Sequence, residues 1–401
     1  MIHIGRVSAF LLLALLAVLP LSANIVDVDC SGSTPGAFPT IAAALASLPS
    51  TDGHTVRIAG TCVERVQIFD WTNLRLEGNP SATLLHDGDT SDFRVLWINN
   101  SEGVTVRDLT IGAAPNPSAP YTPLQIGHST VTIESCTLQG GTALASGALW
   151  VVDRSRVQLT STTIQNSSPS GIRLDSGEMN LGNPDAGAPN VIQANSAGIR
   201  LRAGSNITIW GNNIIRDNGS GIISNGGHVF LCCTPGLLIA DNASTGITIN
   251  LGGDVQANSP VTFENNGLAG VRLISGSAVL TTGQIFRGNG QSGNSGSAAV
   301  IATGNAHLEL FNAEITDNAA HGVLLEDNAS ARIFNNVIRD NAGNGIRVIA
   351  LSSARLFAPN TVSGNDIDLF CAPNSFARGD DTGIGKKFCP GFDKSGGPGP
   401  D

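Results

Sequence analysis

The chain has 401 residues and a formal net charge of −10, and it carries no run of Lys or Arg, so it is a poor ligand for nucleic acid or an anionic membrane surface. Its 48 glycines follow no phosphate-loop spacing and its 7 histidines form no metal-spaced pair, which removes support for nucleotide and zinc chemistry. A length of 401 would ordinarily suggest two or three domains, but the internal repeat described below predicts one.

Residues 1–23 have a basic start at Arg6, an apolar run from Val7 to Leu19 and a small-residue end at Ser22-Ala23. This predicts a secretory signal peptide, and so a secreted chain with no membrane span left after cleavage. Residues 24–54 read as a strand, a Gly/Pro loop and an Ala/Leu-rich helix from about Thr40, an N-terminal cap over the first exposed strand edges. Residues 55–140 hold irregular strand-like segments such as FRVLWINN and GVTVRDLTI. They are interrupted by a Pro-rich insertion from Ala114 to Pro123 that contains the only tyrosine, Tyr121.

From Gly147 onward a phrase recurs, as in IIRDNGSGIISN and VIRDNAGNGIRV. Its opening glycines are Gly147, Gly171, Gly198, Gly221, Gly246, Gly270, Gly296, Gly322 and Gly345, spaced by 23 to 27 residues. A matching row runs Asn166, Asn195, Asn218, Asn242, Asn266, Asn289, Asn318, Asn341, Asn365. Apolar residues alternate within each period, as in Ile172-x-Leu174, which is a strand period and leaves no room for helical repeats. Coils of about 24 residues with two or three short strands and Asn turns predict an all-β fold. The expected architecture is a single-stranded right-handed parallel β-helix solenoid of about a dozen coils over residues 55–370, with an N-terminal helical cap. Asn suits the turns because it tolerates left-handed backbone and its amides can bond up the stack. These repeats resemble those of the right-handed parallel β-helix, or pectin-lyase-like, superfamily, across roughly residues 25–372.

Residues 371–401 lack strand periodicity, hold all the lysines and end in Gly/Pro, which predicts a C-terminal cap and a disordered tail. Among 7 cysteines, Cys30 and Cys62 flank the first cap and Cys371 and Cys389 the second, so two disulfides are expected there. Adjacent Cys232 and Cys233 can pair only with each other, and Cys136 is left as a buried apolar filler.

Counting from each opening Gly, positions two and four point outward. This brings Arg173, Asp175, Arg200 and Arg202 into one patch, extended by Asn225, Thr248 and Asn250. Guanidinium groups bind carboxylates in pairs of bonds, and a carboxylate among them can act as acid or base. Asp175, Arg200 and Arg202 are therefore candidate catalytic residues, and Arg173, Asn225, Thr248 and Asn250 candidate binding residues; the plainer alternative is a surface ion-pair cluster. Asp87, Asp89 and Asp92 offer hard oxygen ligands in a Gly-containing loop that suits Ca²⁺, although no cofactor is required and no EF-hand spacing is present. His321 falls at a turn position and reads as a turn residue.

The superfamily resemblance implies a secreted protein that binds or modifies extracellular polysaccharide, including uronic-acid polymers. An enzyme of this kind would be a lyase, epimerase or hydrolase. No family catalytic motif is intact: Leu96-Trp97-Ile98-Asn99-Asn100 is similar to the pectate-lyase Val-Trp-Ile-Asp-His element but has Asn at its last two positions. The alternative is a non-catalytic cell-surface or extracellular scaffold whose rod shape is its function.

Overall fold

The computed structural model describes residues 23–51, 53–89, 92–112, 120–142, 146–183 and 187–394. The expected signal peptide (except Ala23), the tip of the Pro-rich insertion and the end of the tail lie outside these residues. The chain winds into a right-handed parallel β-solenoid of about 13 turns. One side is a fourteen-stranded parallel sheet with one strand per coil, and the remaining strands form a bent twenty-five-stranded sheet. At about 4.8 Å per coil the rod is roughly 60 Å long. None of the helices among the described residues is long and apolar enough to cross a membrane.

Alternation in sequence becomes columns in space. Ile172, Ile199, Ile222, Ile247 and Val271 succeed one another in register and are fully buried, as are Leu174 and Leu201. The glycine row is required by close approach between coils: a Cβ on Gly198 would lie 2.6 Å from the Gly221 carbonyl oxygen, and one on Gly221 only 2.4 Å from that of Gly246. Two members of the expected row are displaced. Ala148, not Gly147, stands opposite Gly171, because Leu149 pairs with Ile172. Ala299, not Gly296, follows Gly270, because Val271 pairs with Val300 after the longer loop that ends at Ser297.

The Asn row divides the labour that the sequence assigned to a single residue. The left-handed conformation belongs to the residue before the ladder, as at Asp217, Asp241, Asn265, Asp317 and Asp340, with φ between 53° and 56°. The next residue, the asparagine itself, is buried and bonds upward. Amide Nδ2 groups donate to the next Oδ1 from Asn195 through Asn218, Asn242, Asn266, Asn289, Asn318 and Asn341 to Asn365, at 2.8–3.1 Å. Asn166 is not part of this ladder; it is exposed at φ 58°, and the backbone of Ser167 donates to Asn195 in its place.

At the N-terminal end Ile25–Asp29 pairs with Thr55–Val63, and the helix Ile41–Ala46 buries Ile41, Ala44 and Leu45 over the core. Its first turn is held by the Thr40 hydroxyl, which accepts from the Ala43 N–H, and by Glu64, whose carboxylate accepts from Ile41 and Ala42. Disulfides join Cys30 to Cys62, Cys371 to Cys389, and Cys232 to Cys233. Burial pushes the Cys136 thiol up from 9.0 to about 12. Cys136 does more than fill space, since its backbone N–H donates to the Thr162 hydroxyl and its sulfur donates to the Glu134 carbonyl.

Strand stacking also continues beyond residue 370. Phe376–Gly379 pairs with Ser353–Phe357, placing Ala377 inward beside Ala354 and Arg378 outward beside Arg355. Only one apolar position of that strand reaches the core, which is why no periodicity was visible there.

Candidate functional site

The outer face of the fourteen-stranded sheet carries the predicted patch. In-register pairing stacks Gln67, Trp97, Gln125, Trp150, Arg173, Arg200, Ile223, Thr248 and Arg272 into one outward column. A second column beside it runs Val152, Asp175, then Arg202, Asn225, Asn250. The slip at Gly147 explains why sequence counting placed Leu149 where Trp150 stands. Because side chains alternate, an error of one residue moves the whole strand to the other face. Alignment on the inward pair Leu149/Val151 with Ile172/Leu174 would have recovered Trp150.

Asp175 is the centre of the cluster. Its carboxylate accepts from the Trp150 indole N–H at 2.9 Å and from Arg173 Nε at 2.8 Å, and Arg202 Nε lies 3.5 Å from its other oxygen. Arg173 is buried (6% exposed) with its guanidinium 5.5 Å from the Trp150 ring centroid. The Oδ2 oxygen thus anchors Trp150 and Arg173, while Oδ1 has no hydrogen-bond partner among the described residues.

Arg200 differs from its neighbours. It stands between Arg173 and the uncharged Ile223 in the column, and among the described residues no carboxylate lies within ion-pair distance of it. Burial first, and then the adjacent Arg173 and Arg202, push its guanidinium below the ordinary value. Thirteen buried side-chain nitrogens and oxygens lack a hydrogen-bond partner among the described residues, and seven lie on this sheet: Trp97 Nε1, Gln125 Oε1, Asp175 Oδ1, Arg200 Nε, Asn250 Oδ1, Arg272 Nε and Arg347 Nε. Elsewhere, Arg57, Arg75, Arg107 and Arg332 each sit beside a carboxylate. Unmet hydrogen-bonding capacity is thus concentrated on one face.

Towards the N-terminus this face becomes aromatic. Phe69 meets Trp97 edge-on at 4.5 Å, Phe93 lies 6.3 Å from Trp150, and the Arg94 guanidinium sits 3.3 Å from the Trp97 ring centroid. Towards the C-terminus it becomes amidic: Asn250 donates to Asn225 at 3.0 Å, and the Thr248 and Thr245 hydroxyls are 2.6 Å apart. Thr122, just past the buried Tyr121, begins a strand of this sheet, so the described end of the insertion enters beside Trp97 and Trp150, two coils from Arg173.

The other candidates stand apart. Asp87 and Asp89 bind Arg65 at 2.9 and 2.7 Å, and Asp92 binds Arg94 at 2.7 Å. The hydrogen bond from Arg65 to Asp87 raises that guanidinium above its ordinary value. A Ca²⁺ ion would have to displace both arginines, so this donor set does not fit one. His321 begins the strand His321–Leu325, where its Nδ1 accepts from the Asn344 N–H at 2.8 Å, and burial together with Arg347 pushes it down. Open grooves of about 260 and 440 Å³ occur along Thr132, Gln158 and Asn180 and around Asp70, Glu102 and His128; neither includes the Trp/Arg/Asp column.

The family model "Right handed beta helix region" matches residues 236–381. No curated protein matches. Among solved structures, the periplasmic alginate epimerase AlgG is similar at 11% identity, covering 86% of this chain and 78% of that one, with a TM-score of 0.42. The mannuronan C-5 epimerase AlgE4 A-module of Azotobacter vinelandii is 16% identical over 89% of this chain and 94% of that one, TM-score 0.41. Pectin methylesterase PemA from Erwinia chrysanthemi is 15% identical over 71% of this chain and 89% of that one, TM-score 0.34. At such identities and TM-scores these likenesses carry no statement about this chain's residues or chemistry. The parallel coils give the chain the right-handed parallel β-helix fold, and residues 236–381 carry the match to that family model.

Proposed function

We propose that the protein is a secreted recognition rod that binds an extended anionic polysaccharide, of the uronic-acid class, along the outer face of the fourteen-stranded sheet. The observation that carries this reading is Arg200, a half-buried guanidinium stacked on Arg173, close to Arg202 and without a carboxylate partner among the described residues. Charge stacked on like charge is costly, and a carboxylate from outside offsets it. Trp97 and Trp150 add flat apolar surface, suited to sugar ring faces. Three disulfides support a location outside the reducing cytosol. Binding is favoured over turnover because Asp175, the one carboxylate of the cluster, already accepts from Trp150 and Arg173.

The test is calorimetric titration of residues 24–401 with polygalacturonate, polymannuronate and neutral dextran, with ultraviolet absorbance followed for unsaturated products. Salt-sensitive binding of the polyuronates, lost in Arg200→Ala/Arg202→Ala and without product, is the expected result. Equal binding of dextran, or retention of polyuronate binding in the double variant, overturns the reading. Product formation would make the protein an enzyme. Silence across the panel would favour the scaffold alternative.

A further inference from the structure

A different face, on the twenty-five-stranded sheet, carries a second arrangement of this kind at the C-terminal end of the rod. Strands Ser330–Phe334, Ser353–Phe357 and Phe376–Gly379 pair in register, so Arg332, Arg355 and Arg378 form a straight outward column along the rod axis. At the coil spacing their Cα atoms are about 4.8 Å apart. The same column upstream is uncharged at Thr132, Gln158, Asn180 and Thr208. Arg332 is paired with Glu309 at 2.9 Å. Arg355, in the middle, has no carboxylate within ion-pair distance among the described residues; its guanidinium lies over the Phe357 ring, 4.7 Å from the centroid.

Aromatic surface accompanies the arginines. Phe311, Phe334 and Phe357 stack in the neighbouring outward column, and Phe376 caps the Ser330/Ser353 column. Phe334 and Phe376 are 38% and 46% exposed, in a chain whose aromatic content is only 5%. Exposed rings beside a line of cations are costly to keep in water unless something covers them. This face lies six coils from Asp175, roughly 29 Å along the axis, so it is not part of the Trp150 cluster.

We propose that this face is a second, independent anion-recognition site, taking a carboxylated or sulfated sugar chain laid along the rod. Anionic groups would bind Arg355 and Arg378, and ring faces would lie on Phe334 and Phe376. A straight line of equally spaced cations suits a polymer with repeating charges better than a single small anion, and flat rings suit sugar faces. The ligand class is shared with the reading of the fourteen-stranded sheet, but the residues are not, so the two can fail separately.

The experiment titrates size-fractionated oligogalacturonate and a sulfated dextran oligosaccharide into wild type, Arg355→Ala/Arg378→Ala and Arg200→Ala, with circular dichroism and the unfolding midpoint confirming the fold of each. Phe334→Ser serves as a second variant that leaves the charges in place. Expected are two classes of site in wild type, one weakened about ten-fold or more in Arg355→Ala/Arg378→Ala and in Phe334→Ser but kept in Arg200→Ala. Unchanged isotherms in the Arg355 and Phe334 variants would overturn the second site whatever happens at Arg200. Loss only in Arg200→Ala would leave one site, on the other sheet. Concentration-dependent self-association of wild type that Arg355→Ala/Arg378→Ala abolishes would give this face to a second copy of the chain and overturn the sugar assignment.

Discussion

The buried asparagine ladder and the outer Trp/Arg column of the fourteen-stranded sheet are built by the same rule, that every residue sits on its equivalent one coil away, yet they end in opposite states. An amide carries both donor and acceptor, so Asn195 to Asn365 can stack like on like and satisfy one another. A guanidinium carries donors only, so Arg200 on Arg173 cannot. The solenoid therefore makes any column of arginines an open demand for acceptors. Where the chain supplies carboxylates, as Asp175 does for Arg173, the demand is met internally; at Arg200 Nε it is unmet among the described residues.

That contrast predicts a graded set of responses. Asn242→Leu should be the most damaging, because it buries the Asn218 backbone N–H without its acceptor and removes the side-chain donor to the Ile215 carbonyl, breaking the ladder on both sides. A loss of about 4 kcal/mol in denaturant unfolding is expected. Arg173→Ala removes a buried partner from Asp175 and should cost about 2–3 kcal/mol by the same measurement, with the Trp150 fluorescence environment altered. Arg200→Ala, one coil further on, should change stability by no more than about 0.5 kcal/mol, or raise it, since two neighbouring cations are relieved. If Arg200→Ala proved as harmful as Arg173→Ala, the distinction between the two arginines would fail.

The effect at Cys136 is confined to alkaline pH. Its folded pKa is raised, from 9.0 to about 12, so it is the thiol form that folding favours. The associated stability is complete below the unfolded value and is lost as pH rises through the folded one. Wild type should therefore lose stability relative to Cys136→Ser between pH 9.0 and about 12, while below pH 8 the two should agree within about 1 kcal/mol. Native protein at pH 8 should also resist alkylation at this thiol, checked by mass spectrometry after a timed pulse.

Most of the fold was legible because the repeat states its own geometry: alternating Ile-x-Leu pairs set the strands, and the Gly and Asn rows set the close contacts and turns. The site was legible where the coils are regular, so Arg173, Asp175, Arg200 and Arg202 came out together. It failed where a coil departs from the row. Taking Gly147 as the opening residue hid Trp150, and the irregular early coils hid Trp97, although both continue the column of Arg173. Nothing in the composition showed that Trp150 and Arg173 both donate to Asp175, because that depends on the register of neighbouring coils. The aromatic and arginine pairing at Phe334 and Arg355 was equally invisible, since it arises from register between three strands rather than from any one of them.

The account rests on Arg200 being kept for an external anion, and the most direct test is the polyuronate-induced shift of the unfolding midpoint in wild type and in Arg200→Ala at low ionic strength. Ligand that binds only the folded state raises the midpoint. The account predicts a clear rise in wild type that disappears in Arg200→Ala, from unliganded midpoints that match; an equal rise in both proteins, or none in wild type, would contradict it.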